Sequence, residues 1–530
     1  MTQAEELKSL VGTQAERQAF LEEIGPLLPA AHGERIRRIL DGVGELLSLL
    51  ERKSLSLARL RQLCFGAQTE SARDVCGQPP QEKKPKTKAK GHGRHPHRHY
   101  TGAQRVVVVH PTLTSGQACP DCRKGKLRHR KEPAVAIQVK AQPPVGALIH
   151  EMEQLRCDTC GKLFTAPTPP EAGVEKYDAS VGVMVGLLRY GSGMPFHRLE
   201  RLQQSLGVPL PSSVQWEQVD RAARELEPVF DHLIYLAAQS ALVFSDDTTM
   251  RVSALRKEIQ TEVNPKRTGI FTSGIVSQAE HHPIALFFTG RAHAGENLAD
   301  VLDQREPARS PPMHMRDGLA QNTPKGHPTL DCGCNVHARR NFVEIQSAFP
   351  QECRKVVESF SEIYRVEAQT KADQLSPQER LAVHQAYSQP VMDQLQAWFT
   401  EQMEGRKVEP NSGLGQAIAY MQERWTELTQ FLRVAGAPLD NNVTERILKM
   451  SILHRKNSLF YRTQRGADVG DLFMSLVQTC RANAVNPFEY MLAVVRNAPA
   501  VKADPGQWMP WNYPANPVPQ TKVTDGPSSS

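Results

Sequence analysis

Residues 241–252 read ALVFSDDTTMRV, an apolar segment that ends on two adjacent carboxylates, Asp246 and Asp247. The pattern before the acids predicts a β-strand. Two further period-two segments and a helical pattern follow: RTGIFTSGIVSQ (267–278), HPIALFFTG (282–290) and RAHAGENLADVLDQ (291–304). We therefore predict a β-meander followed by a helix, within an α/β core. Because buried carboxylates are costly without a partner, the paired acids indicate a binding role.

Length and composition predict a multidomain α+β protein. A chain of 530 residues is too long for one hydrophobic core and fits three or four modules. Its net charge is +7, and no run of about 18 apolar residues would span a membrane. The first residues lack the basic-then-apolar pattern of a secretory signal. We predict a cytoplasmic protein with no membrane partner.

Two CxxC pairs predict a structural zinc site. They are CPDC, with Cys119 and Cys122, and CDTC, with Cys157 and Cys160. Two such pairs on hairpin turns form a closed tetrahedral four-thiolate site, whose Zn²⁺ supplies folding energy. The alternating stretches AVAIQVKA and ALIHEMEQLRC between the pairs predict the connecting strands. A redox dithiol would need a single CxxC at the start of a helix.

Three segments of the N-terminal half bear on association with DNA or with a second copy. Apolar residues spaced four and three apart over 34–65, interrupted by Lys53, predict either a coiled coil or an amphipathic helix packed on its own domain. Helices at 195–207 and 209–230, joined at Gly207, predict either a DNA-reading helix-turn-helix or an ordinary helical hairpin. Between these segments, 81–100 reads as a solvated tether or a nonspecific nucleic-acid arm, with the basic residues Lys83, Lys84, Lys86, Lys88, Lys90, Arg94 and Arg98.

Three acids in distinct contexts predict a catalytic metal site: Asp246, Asp317 and Glu445. The first two follow candidate strands, and the third is one turn into a helix that begins at Asp440 or Asn441. Carboxylate oxygens suit Mg²⁺ or Mn²⁺, and two such ions stabilise the attacking and leaving oxygens of phosphoryl transfer. We predict Asp247 as a carboxylate beside the site, either supporting the metal ligands or standing in reserve for them. Candidate phosphate contacts follow Glu445 in the sequence, namely Arg446, Lys449, Arg455 and Lys456.

The segment DCGCNVHARRNF (331–342) leaves two readings open. Cys334 and His337 form a CxxH with Cys332 nearby, which indicates either a second metal site or packing at a strand-to-helix junction. Trp398 and Trp425 likewise fit either stacking on an unpaired base or an apolar core.

The chain resembles the insertion-sequence sixty-six family of bacterial transposases, the large TnpC-type subunit. The resemblance covers LRQLCFGAQTESA, CPDC…CDTCGK, KYDASVGVMVGLLRYGSGMPFHRLERLQQSLGVPL, SDDTTMRV, RDG, CNVHARRNF, DNNVTERILKMSILHRKNSLF, NPFEYMLAVV and PWNYP. It implies an RNase H-like core whose DDE triad is Asp246, Asp317 and Glu445, with Asp247 where the family usually has Glu. Arg339 and Arg340 would be phosphate contacts, and His337 would lie beside the site.

The resemblance also implies an activity and its partners. The protein would bind the terminal inverted repeats of its element and target DNA, pair two ends as a homodimer or larger assembly, and work with small accessory proteins. The alternatives are a catalytically inactive DNA-binding derivative and a nuclease without joining activity. The predicted segments are a leucine-zipper-like region (1–75), a basic linker (76–104), a zinc module (105–170), a helix-turn-helix-like domain (171–238), the first part of the core (239–344), a helical insertion (345–436), the last part of the core (437–498) and a disordered Pro-rich tail (499–530).

Overall fold

A computed structural model describes residues 19–23, 33–34, 36–37, 39–40, 108–129, 134–137, 139, 142–156, 158, 160, 162–172, 175–263, 265 and 267–513. The chain divides into two compact units. The core unit takes 1–81, 234–452 and 460–467, and the flanking unit takes 82–233, 453–459 and 468–530. The apolar repeat from Val43 to Cys64, the basic linker residues, Cys157 and 514–530 lie outside the described residues. No helix in the described ranges combines the length and apolarity needed to cross a membrane.

The first strands of the flanking unit form a short hairpin, in which β1 (Gln154–Arg156) pairs antiparallel with β2 (Leu163–Thr165). The helices α1 (Ala179–Gly186), α2 (Phe196–Ser205) and α3 (Ser212–Ala238) follow. Gly207 has a φ of +78° after α2, the left-handed conformation that ends many helices. The predicted strand in AVAIQVKA is wrong for its described residues, which form no strand and leave Val135 and Val139 exposed.

A five-stranded sheet forms the centre of the core unit. The strands are β3 (Leu242–Thr249), β4 (Phe271–Ala279), β5 (His282–Gly290), β6 (Met313–Arg316) and β7 (Leu330–Gly333). Two helices lie between them in the sequence, α4 (Ser253–Thr261) after β3 and α5 (Ala294–Leu302) after β5. The strand order is β5-β4-β3-β6-β7. The first three strands are antiparallel, and β3, β6 and β7 are parallel. The meander and the helix after it are confirmed, whereas the predictions did not include α4.

Six helices follow the sheet before the chain returns to it. They are α6 (Asn335–Ile345), α7 (Pro350–Ala372), α8 (Pro377–Tyr387), α9 (Gln389–Glu404), α10 (Gly413–Glu423) and α11 (Trp425–Leu428). Their apolar faces bury Phe342, Phe360 and Phe399 in one cluster with residues of β6 and β7. Trp398 and Trp425 are partly buried against the same cluster, which favours a core role over base stacking.

The last helices are α12 (Asn442–Ser458), α13 (Gln464–Ala482), α14 (Pro487–Arg496) and α15 (Ala498–Ala503). The predicted disordered tail is wrong for residues 499–513. Val501 and Met509 are buried, and the Tyr490 hydroxyl donates to the Trp508 carbonyl over 2.8 Å. Pro499 and Pro505 stand in the first turns of α15 and of a 3₁₀-helix, where a missing N–H costs nothing. Proline content therefore did not indicate disorder here.

Candidate metal centre

Asp246 lies on β3, on the sheet face that α12 covers. Its strand partner is Gly274 of β4. A Cβ at Gly274 would lie 3.0 Å from Leu448 Cδ2 and 3.3 Å from Thr444 Cγ2, so α12 packs directly on the glycine. This close approach brings the first turn of α12, which carries Glu445, against the strand that carries Asp246.

Three side chains converge at this point. Ligand atoms of Asp246, His337 and Glu445 all lie within 4.8 Å of one another. The His337 Nε2 atom is 3.8 Å from Glu445 Oε1, and that oxygen is shielded from solvent and accepts no hydrogen bond from the described residues. Two carboxylates and an imidazole form a donor set that fits a divalent cation such as Mn²⁺ or Mg²⁺. The family resemblance predicted His337 as a neighbour of the site, and the CxxH motif left it open as a ligand of a second metal.

Asp317 follows β6 and is not a member of that group. Its Oδ1 accepts hydrogen bonds from the Leu319 N–H at 3.1 Å and the Asn322 side-chain amide at 2.7 Å. Its charge nevertheless acts on Asp246. The structure therefore places Asp246 and Glu445 together and Asp317 nearby, held by its own loop.

The electrostatics of Asp246 are those of a carboxyl group that lacks a counter-charge. Burial raises its pKa, and the negative charges of Asp317, Glu445 and Asp247 raise it further. The hydrogen bond from the Asp247 N–H, 2.8 Å long, acts in the opposite direction. The result is a pKa of about 7. A bound divalent cation would supply the positive charge that this arrangement lacks.

The raised pKa of Asp246 predicts a stability gain on its removal. In the unfolded chain an aspartate titrates near pH 3.9, so the folded protein holds the extra proton between about pH 4 and pH 7 and loses stability as the pH rises through that range. Because asparagine does not ionise, Asp246→Asn removes this pH-dependent loss of stability. In EDTA, we expect hydrogen exchange to show the core unit of the variant roughly 2 kcal/mol more stable at pH 8 than wild type, and nearly equal at pH 4. Parallel stability–pH curves for the two proteins would contradict the prediction, and exposed Glu258→Gln is the control.

Asn441, just before α12, anchors the helix to the strand. Its side-chain amide donates to the Ser245 carbonyl at 2.8 Å, one residue before Asp246, and its backbone N–H donates to Cys334 Sγ at 3.3 Å. Asn335 similarly donates to the carbonyls of Leu428 and Leu439. Both amides are buried. Sequence reasoning gave Asn441 only a helix-capping role, although the motif DNN places it one turn before Glu445.

The contacts of Asp247 argue against the reserve role, one of the two roles predicted for it. Successive side chains of a strand point to opposite faces of the sheet, so Asp247 faces α5, whereas Asp246 faces His337 and Glu445. Its carboxylate accepts from Ser273 Oγ at 2.7 Å and the Ala294 N–H at 3.0 Å, and contacts His293 Nδ1 at 3.0 Å. It therefore holds the N-terminus of α5 against the sheet.

The two cysteines near His337 are buried thiols. Burial raises the pKa of Cys332 and Cys334 to about 12, and Cys334 accepts the Asn441 N–H. Within the described residues, His337 groups with the two acids and not with these thiols. The packing reading of the CxxH cysteines is therefore favoured over a second metal site.

The predicted phosphate contacts lie on two helices. On α6, Arg339 and Arg340 are partly buried. On α12, Arg446 and Lys449 are exposed, Arg455 is partly buried and Lys456 is exposed.

Residues 176–469, more than half of the chain, match the family model described as Transposase IS66 family. The chain belongs to the IS66 family of transposases. This confirms the resemblance inferred from its motifs. A transposase family implies a DNA-modifying enzyme that binds DNA, and such enzymes are generally metal-dependent.

Relatives of this IS66 protein occur in Sinorhizobium fredii (strain NGR234). It is 25% identical over 433 residues to a protein named uncharacterized protein y4hP, covering 77% of this chain and 75% of the relative. It is 24% identical over 433 residues to uncharacterized protein y4jD, covering 78% and 81%. No solved structure matches the chain.

Proposed function

We propose that this IS66 protein is a DDE transposase, which cleaves the ends of its element and joins them to target DNA. The observation that carries the proposal is the convergence of Asp246, Glu445 and His337, with Asp317 on the neighbouring parallel strand end. The strand order, three antiparallel strands followed by two parallel ones, supports an RNase H-like core.

Asp246 and Glu445 would hold divalent cations, with Asp317 completing the site for a second ion. The Glu445 Oε1 atom, which accepts no hydrogen bond from the described residues, and the raised pKa of Asp246 both fit a cation ligand. Bound Mg²⁺ or Mn²⁺ would supply the positive charge that stabilises the attacking and leaving oxygens. The imidazole of His337 adds a nitrogen donor, which favours Mn²⁺ over Mg²⁺.

The proposed reaction has two steps at one site. Water attacks a phosphodiester at the element end, and the bond to the 3′-oxygen breaks and leaves a free 3′-hydroxyl. That hydroxyl then attacks a phosphodiester of the target, and one new phosphodiester replaces the one broken. The protein contributes position and charge, with no covalent intermediate.

The DNA ends would be bound outside this site. Supporting features are the basic linker, the α2–α3 hairpin and the module that carries the CxxC pairs. Arg339, Arg340, Arg446, Lys449, Arg455 and Lys456 would contact phosphates nearer to the chemistry. Pairing of two ends requires at least two copies, and small proteins of the same element would be accessory partners.

The test is a joining assay with the purified full chain and labelled duplexes that carry the inverted repeats flanking its gene. We expect Mg²⁺- or Mn²⁺-dependent cleavage at the repeat boundary, followed by joined products. Cleaved ends without joining would indicate a nuclease. Binding without cleavage in either metal would indicate an inactive derivative and refute the proposal.

We further propose that Cys119, Cys122, Cys157 and Cys160 hold a structural Zn²⁺. The Cys119 N–H bonds to the Gly125 carbonyl at 2.7 Å, which closes a tight turn around the first pair. Backbone N–H groups of Gly125 and Lys124 lower the pKa of the Cys122 thiol, as a metal-binding thiolate requires. Cys160 of the second pair lies between β1 and β2.

This zinc site predicts the metal content of the chain. Wild type is expected to contain about one zinc per chain, and Cys122→Ser to lose nearly all of it. The serine hydroxyl is a poor zinc ligand, so the variant would have only three of the four thiolates that the closed site needs. Elemental analysis after dialysis measures the difference, with the buried Cys480→Ser as a control that keeps its zinc. Equal zinc in wild type and Cys122→Ser would refute the site.

A further inference from the structure

The end of the helical insertion lies against the loop that carries Asp317. A Cβ added to Gly318, the next residue, would collide with the Tyr420 hydroxyl and lie 2.7 Å from Arg424 Nε. At the end of β7, a Cβ on Gly333 would lie 3.0 Å from Leu428 Cδ2. Both strand ends therefore carry glycine where α10 and α11 approach the backbone.

Arg424 bonds directly to this loop. Its Nη2 donates to the Gly318 carbonyl at 3.3 Å, and its guanidinium lies 4.4 Å from the centre of the Tyr420 ring. The side chain is 28% exposed. The stacked ring and the hydrogen bond together hold the planar guanidinium in one orientation.

A second arginine ties the same loop to the insertion. Arg316 is buried, and its Nη1 donates to the Asp317 carbonyl at 3.1 Å. Its Nη2 pairs with Asp331 at 2.7 Å and with Glu427 of α11 at 3.4 Å. Two guanidinium groups thus donate to two successive carbonyls, those of Asp317 and Gly318. Arg424 belongs to the insertion, and Arg316 pairs with it through Glu427.

The opposite side of the loop is held by α5. The turn at 321–323 packs on Gly295, and Asn322 donates to Asp317 Oδ1. Since Asp247 fixes the N-terminus of α5, this second support does not depend on the insertion. The insertion side can therefore be tested separately.

We propose that Arg424, supported by Tyr420, is a positioning residue that sets Asp317 relative to Asp246 and Glu445, so the helical insertion is part of the metal site. This proposal rests on the proposed function for its catalytic consequence. Displacement of a catalytic group by about 1 Å can cost about 10²-fold in rate. Without Arg424, the Gly318 carbonyl loses its donor, and the loop loses one of its two arginine links to the insertion.

The experiment compares wild type, Arg424→Ala, Arg424→Gln and the control Arg365→Ala, which removes an exposed arginine of the same insertion. We expect Arg424→Ala to lower the cleavage rate about 10²-fold, weaken Mn²⁺ binding measured by electron paramagnetic resonance about tenfold, and speed amide exchange in 316–323. Exchange in α7 stays at the wild-type rate. Arg424→Gln retains an N–H donor and recovers part of each loss.

The outcomes separate this proposal from the proposed function. Faster exchange in 316–323 and weaker Mn²⁺ binding support the positioning role even if wild type fails to join DNA. Wild-type exchange, metal affinity and cleavage in Arg424→Ala would overturn it. If amide exchange in α7 of Arg424→Ala rises as much as in 316–323, that variant has unfolded globally and Arg424→Gln decides. Because glutamine recovers only part of each loss, exchange in 316–323 at the wild-type rate in Arg424→Gln would then overturn the proposal.

Discussion

Asp246→Asn is expected to lower the rates of end cleavage and strand joining by at least about 10³-fold in Mg²⁺ or Mn²⁺. Asparagine has the size of aspartate and keeps an oxygen for the Asp247 N–H. It removes the negative charge, so the site loses a ligand and much of its attraction for cations. DNA binding by the other segments is expected to stay within about twofold of wild type.

Two matched variants make this result specific. Glu445→Gln, the second carboxylate of the group, is expected to lose activity to a similar extent. Asp247→Asn, one residue away on the other face of the sheet, should weaken the anchoring of α5 and reduce activity far less. Wild-type joining by Asp246→Asn would refute the metal site, and an equal loss in Asp247→Asn would refute the assignment of separate roles to the two acids.

Glu367→Ala is expected to destabilise the insertion by about 3–5 kcal/mol. Glu367 is buried, and its carboxylate receives His384 Nε2 at 3.0 Å, Arg380 Nε at 3.0 Å and Lys371 Nζ at 2.9 Å. Removing the acid leaves these donors of α7 and α8 without their common acceptor. Because the chain has two units, hydrogen exchange of α7 and α8 measures the change better than a global unfolding curve.

The pH dependence of the Glu367 effect has a defined sign. Burial acts to raise its pKa, but the bonds from His384 and Lys371 and the charge of Arg380 outweigh burial and lower it to about 2. The stabilisation is thus complete above about pH 4.5 and disappears as the pH falls towards 2. Exposed Glu362→Ala, whose partner is Arg365, should change exchange by less than about 1 kcal/mol. Equal effects of the two variants would show that the buried cluster does not hold α7 to α8.

The three antiparallel strands were predictable because each follows a simple local pattern. Residues 241–252 and the two segments after them alternate with period two, and the antiparallel neighbours are close in the sequence. The short β6 was harder to recognise, because only four residues follow two prolines. Pairing with β3 on one side and β7 on the other forms this strand, and such pairing is not visible in local sequence.

The role of His337 depended on tertiary packing. The CxxH spacing predicted Cys334 as the partner of His337. In the structure α12 packs closely on Gly274, and Glu445 on that helix lies beside His337 instead. No local pattern reports that approach. The orientation of Asp247 was predictable from the sequence, because alternation along a strand places adjacent acids on opposite faces of the sheet. Alternation therefore argued against the reserve role that we predicted.

The most direct test of the metal site is anomalous diffraction from crystals of the full chain grown with Mn²⁺. We expect a peak in contact with carboxylate oxygens of Asp246 and Glu445, at about 2.2 Å from each, with His337 as a further ligand. The peak should vanish in Asp246→Asn crystals. Manganese bound elsewhere, with both carboxylates uncoordinated, would contradict the account.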